Sequence, residues 1–76
     1  MKTYERIYEN TGFNGKELAG YVCKENPSIM IKIERGALSH NRPTGFTVLV
    51  NGTTNYTKGI ASYLTLAEAK MAAEEL

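Results

Sequence analysis

Residues 13–27, FNGKELAGYVCKENP, decide the fold of this chain, because the segment has two self-consistent readings that lead to different topologies. As a helix it has Asn14 as cap, Glu17 at the third helical position, a Phe13–Leu18 staple, Leu18, Tyr21 and Val22 on one face and Pro27 beyond the end. As a strand it runs through residues 21–24 and turns at residues 25–28 into the segment that follows. The helix is the preferred reading, although Gly15 and Gly20 both weaken it. Upstream, residues 2–9, KTYERIYE, alternate in a way that favours a strand or an extended arm.

Downstream the pattern is plainer. In SIMIKIER, residues 28–35, Ile29, Ile31 and Ile33 alternate with Met30, Lys32 and Glu34, the period of a half-buried strand. In GFTVLV, residues 45–50, Phe46, Val48 and Val50 alternate with Thr47 and Leu49, and Asn51-Gly52 then supplies a two-residue hairpin turn. A third strand within residues 54–64 should pair with it, with Gly59 marking a bulge or bend. The last segment, TLAEAKMAAEEL, residues 65–76, opens with Thr65 as N-cap and Glu68 three positions on, a capping box that satisfies two amides. Its expected apolar stripe is Leu66, Ala69, Met71, Ala72, Ala73 and Leu76. The expected fold is α+β: one small domain over residues 1–76, an antiparallel meander of three strands covered by a C-terminal helix, with four or five strands if the N-terminal third is extended.

The function classes narrow with the composition. A chain of 76 residues holds one thin core, and 42% hydrophobic content suits a folded protein. No run approaches a membrane span, and the charged start MKTYERIYEN lacks the apolar stretch of a secretory signal, so a cytoplasmic location and no membrane partner are expected. With one histidine, one cysteine and no aspartate, the chain offers no convergent catalytic set and no metal-ligand spacing. No catalytic, cofactor or metal site is expected, and Cys23 reads as a small buried hydrophobe. The sequons at Asn51 and Asn55 read as hairpin chemistry.

Charge is uneven. Residues 32–58 carry Lys32, Arg35, Arg42 and Lys58 against Glu34, whereas the C-terminal stretch carries Lys70 against Glu68, Glu74 and Glu75. Arg35, just before GALSHNRPTGFTVLVNG, residues 36–52, and His40 and Arg42 within it are read as decorating an exposed loop between two strands. Five tyrosines and no tryptophan leave rings such as Tyr56 to anchor an interface. The candidate partner-binding residues are therefore Arg35, His40, Arg42, Lys58, Lys70, Glu68, Glu74, Glu75 and Tyr56.

Read with its N-terminal helix, the chain resembles the double-stranded-RNA-binding domain, of order α-β-β-β-α, over residues 15–76. The matching stretches are Gly36 to His40 before FTVLVNG, and EAKMAAEEL at the end. The resemblance implies double-stranded RNA as a partner, with Glu17, His40, Arg42 and Lys70 as contacts. GALSH is one residue longer than the family's loop and lacks its proline, and Leu66 and Ala67 stand where that family has lysines. In size and makeup the chain also looks like the small inhibitors that phages and mobile elements make, such as the anti-CRISPR proteins. That likeness implies a non-enzymatic protein that occludes the surface of a host protein or nucleoprotein complex involved in defence or nucleic-acid processing. A self-associating structural protein is the third reading, and the chain is expected as a monomer or homodimer.

Overall fold

The computed structural model describes residues 2–10, 15–36, 39–56 and 59–76, and of residues 36 and 39–42 the backbone alone. Five antiparallel strands, β1 (Tyr4–Asn10), β2 (Lys16–Cys23), β3 (Ile29–Gly36), β4 (Ser39–Val50) and β5 (Thr53–Thr54), lie side by side in chain order, and one helix, α1 (Leu66–Glu74), follows. This is an α+β meander with a C-terminal helix.

The core begins with β3 and β4. Their register sets Ile29 against Val50, Ile31 against Val48 and Ile33 against Phe46, so the apolar positions of both strands share one face. Ile29, Ile31 and Val48 are almost wholly buried there. Asn51 and Gly52 both take positive φ, 53° and 80°, which a two-residue hairpin between twisted strands demands, and they return the chain into β5. The expected third strand is short. Asn55 N–H still bonds Val48 C=O at 2.8 Å, and beyond it Tyr63 bridges back to β4, its N–H and C=O both bonding Phe46 at 2.8 Å.

Helix α1 lies over the β3–β4 face through Ala69, Ala72 and Ala73, whose small side chains allow close approach. Thr65 caps it. Its Oγ1 accepts the Glu68 N–H at 3.2 Å and donates to the Glu68 carboxylate at 2.9 Å, so the return leg of the box runs from the hydroxyl. Met71, expected in the apolar stripe, is 71% exposed. Two residues advance a helix by roughly 200°, which turns Met71 away from the face that Ala69 buries.

Residues 16–23 are strand β2, and the preferred helix reading is corrected. The cause is a bulge. Ile7 pairs with Gly20 and Tyr8 with Leu18, so Ala19 is an extra residue in β2. That insertion spoils the two-residue alternation and leaves Leu18, Tyr21 and Val22 at helix-like spacing. The alternative reading, a strand that turns into the Ile segment, holds: Asn26 C=O accepts the Ile29 N–H at 2.9 Å, and Asn26 Oδ1 accepts from the Ser28 hydroxyl at 2.6 Å. The Asn14 cap and the Phe13 staple fall outside the described residues. The described order is thus five strands and one helix, without the leading helix of the α-β-β-β-α arrangement.

Gly20 is needed where it stands, because a Cβ there would run into the carbonyl oxygen of Ile31 on β3. Gly20→Ala should therefore cost roughly 1–3 kcal/mol in urea unfolding, the cost typical of forcing an extra carbon into a packed position. A variant as stable as the parent would show that β2 and β3 do not approach in this way.

Candidate functional site

The sheet has two faces and α1 covers one. On the opposite face, uncovered by any element among the described residues, the register forms a row across four strands, Val22 on β2, Met30 on β3, Leu49 on β4 and Thr54 on β5, with Glu5 of β1 at its other end. The next row runs Ile7, Gly20, Lys32 and Thr47. Ile7, Val22, Met30 and Leu49 are half-buried by one another and by their neighbours. Ile7, Glu9, Ala19, Gly20, Met30, Lys32 and Leu49 surround a hollow of about 230 Å³, which the missing side chain of Gly20 helps to open. Beside it, Thr47 is 7% exposed and donates to Glu34 Oε1 at 3.4 Å, and Lys32 Nζ stands 3.8 Å from that same oxygen. This face combines an apolar centre with carboxylates at its margin, Glu5 and Glu9 from β1 and Glu34 from β3.

Strand β1, which carries three of these side chains, is fastened at its start. The Glu25 carboxylate accepts the Thr3 N–H at 2.8 Å and the Thr3 hydroxyl at 2.5 Å, and the Lys24 N–H bonds Thr3 C=O at 2.9 Å. The two bonds from Thr3, its hydroxyl first, hold the Glu25 carboxyl well below its usual range, at about 2. On the other side, Glu74 at the end of α1 accepts the Lys2 N–H at 2.7 Å, and Lys2 Nζ donates to Glu74 C=O at 3.2 Å. Lys70 Nζ lies 5.4 Å from the centre of the Tyr4 ring and 5.7 Å from that of Tyr21. Tyr4's hydroxyl is buried with no hydrogen-bond partner among the described residues, and burial first, then the charges of Cys23, Glu74 and Glu25, push its pKa up.

Several candidate residues have work inside the fold. Arg35 is on β3, not in a loop: its Nε stands 2.8 Å from Glu17 Oε1 and its Nη1 donates to Leu18 C=O at 2.9 Å, so it braces the bulged part of β2. Lys70 packs on two tyrosines, Glu68 serves the helix cap and Glu74 holds Lys2. Glu75 and Tyr56 are exposed. His40 and Arg42 belong to strand β4, whose pairing with β3 continues to Ser39 opposite Gly36, so the expected open loop is the arm of a hairpin. Their side chains lie outside the described residues, as does the whole of Lys58.

Cys23 is 0% exposed, with its Sγ donating to Glu25 Oε1 at 3.5 Å, as expected for a buried thiol. Among the described residues, no group of three His, Cys, Asp or Glu side chains could hold a metal ion, and no helix is long and apolar enough to cross a membrane. No protein-family model, no curated protein and no solved structure matches this chain.

Sequence reasoning did not pick out Glu5, Ile7, Glu9, Val22, Met30 and Leu49. A signal existed: Met30 and Leu49 are large apolar residues at the positions where the Ile and Val alternation leaves room for polar ones, and the register pairs them directly.

The fastening of β1 should be acid-sensitive. Because Glu25 is lowered from 4.5 to about 2 in the folded chain, its contribution is fully present above pH 4.5 and is lost as the pH falls toward 2. The protection factor of the Thr3 amide, its exchange rate relative to the intrinsic rate at each pH, should fall over that interval, and Glu25→Gln should remove that change. A protection factor that stays constant across the interval in the parent protein would contradict the Thr3–Glu25 bonds.

Proposed function

We propose that this chain is a non-enzymatic interaction protein that binds another protein through the uncovered face of its sheet and acts by occupying that partner's surface. One observation carries the reading. In a sheet covered by a helix on one side only, the opposite face presents Ile7, Val22, Met30 and Leu49 as neighbours instead of a fully polar surface. Apolar centres ringed by charged side chains are how protein interfaces are built, and the marginal carboxylates favour a partner whose contact surface is apolar and basic. A small protein with this face suits the role of an inhibitor of a host protein or nucleoprotein complex, the role its size and makeup suggest.

Double-stranded RNA fits this arrangement less well. The uncovered face carries Glu5, Glu9 and Glu34 against Lys32, a balance that repels phosphates, and Lys70 is held over Tyr4 and Tyr21.

The test uses the immobilised chain and a lysate of the cells it comes from, with Met30→Glu and Leu49→Glu as face variants and Met71→Glu as the control on the outer side of α1. A protein retained by the parent and by the control should bind the face variants at least about tenfold more weakly, a difference of roughly 1.4 kcal/mol. Circular dichroism should show all variants folded. Retention that the face variants leave intact would overturn the reading, as would tight, salt-sensitive binding of an RNA duplex that Lys70→Ala weakens.

A further inference from the structure

Strand β1 forms one edge of the sheet, pairing with β2 on one side and with no strand on the other among the described residues. The Lys24 N–H to Thr3 C=O bond fixes which backbone groups face β2, and alternation along an antiparallel strand then turns the amides of Tyr4 and Arg6 off the edge. An open edge of this kind accepts another strand.

The side chains on this edge are specific. Glu5, Ile7 and Glu9 point to the uncovered face, two carboxylates with an apolar residue between them. Glu5 and Glu9 are exposed and have no ion pair among the described residues. The register sets Glu9 directly opposite Glu17, a like-charge pair, and Arg35 Nε stands 2.8 Å from Glu17 Oε1. Glu9 thus has a carboxylate across from it and no ion pair among the described residues.

We propose that an extended segment of the partner protein adds to the sheet as a strand alongside β1, carrying Lys or Arg at the two positions facing Glu5 and Glu9 and an apolar residue facing Ile7. This rests on the reading of the uncovered face as a protein-binding surface and states how the partner engages it. The order Glu, apolar, Glu at alternate positions is the same in both directions, so the complementary segment fits parallel or antiparallel. A second copy of the chain is selected against. In the register that opposes Ile7 to Ile7 of a second copy, Glu5 of each faces Glu9 of the other, and like charges directly opposite destabilise a strand pair. The carboxylates that protect this edge from indiscriminate pairing are also what selects a basic strand.

The test is a titration of the whole protein with the synthetic peptide Thr-Thr-Lys-Thr-Val-Thr-Lys-Thr-Thr, followed by amide NMR. A second probe is the same peptide N-methylated at every residue, which keeps its charges and blocks pairing along both of its edges. The parent peptide should slow exchange at the Tyr4 and Arg6 amides, the Glu5→Lys/Glu9→Lys variant should bind it about tenfold or more weakly, and the N-methylated peptide should not bind. Equal binding of the N-methylated peptide, shifts confined to other strands, or no binding at millimolar peptide would overturn strand addition. If a captured partner is lost with Met30→Glu and kept by Glu5→Lys/Glu9→Lys, the edge proposal fails while the face reading stands; if both variants keep it, both fail.

Discussion

A single short helix against a five-stranded sheet is the constraint on which everything else in this protein depends. The nine residues of α1 measure about 13 Å along the axis, whereas five strands spaced by their hydrogen bonds span roughly 19 Å. The helix therefore covers mainly β3 and β4, and its reach over β2 and β1 is confined to Cys23, Tyr21 and Tyr4. The buried side chains concentrate there: Ile29, Ile31, Val48 and Cys23 below, Ala69, Ala72 and Ala73 above, with Tyr63 closing the side where the chain returns to β4. The choice of alanine matters, because small side chains bring the helix close to the isoleucines and fill the thin core that a chain of this size can build.

The same constraint explains the devices on β1 and β2, which lie toward the margin of the area that α1 covers. Their attachment relies on polar and ionic contacts at the periphery: Glu25 on Thr3, Glu74 on Lys2, Glu17 on Arg35, and Lys70 lying over Tyr4 and Tyr21. It also explains the uncovered face. A sheet with one covering layer must either make its second face polar or leave apolar side chains for something else to cover, and here Met30 and Leu49 sit side by side on that face.

The part of the fold held by β3, β4 and α1 is legible in the sequence because each element has its own local signal: alternating isoleucines, Asn-Gly at the hairpin, and Thr65 with Glu68 at the helix start. The N-terminal third is not. The extra residue Ala19 breaks the alternation of β2, and Gly20, which sequence reasoning counts only as a weak helix residue, is there because Ile31 of the neighbouring strand comes too close for a side chain. Residues 36–44 read as a loop because Gly36 and Pro43 punctuate them. The pairing absorbs Pro43 opposite Arg35 at a register irregularity. The candidate site was legible only in part for a similar reason: charge along the chain drew attention to Arg35 and Lys70, whereas pairing in space shows what those charges already hold.

The most direct test of the account is whether the face opposite α1 is open in solution, read by the attenuation of methyl NMR signals with a soluble, uncharged paramagnetic probe. The methyl groups of Ile7, Val22, Met30 and Leu49 should be strongly attenuated, while those of Ile29, Ile31 and Val48 are spared. Protection of Met30 and Leu49 equal to that of Ile31 would mean that the face is already covered in the free protein, and would contradict its assignment as the partner-binding surface.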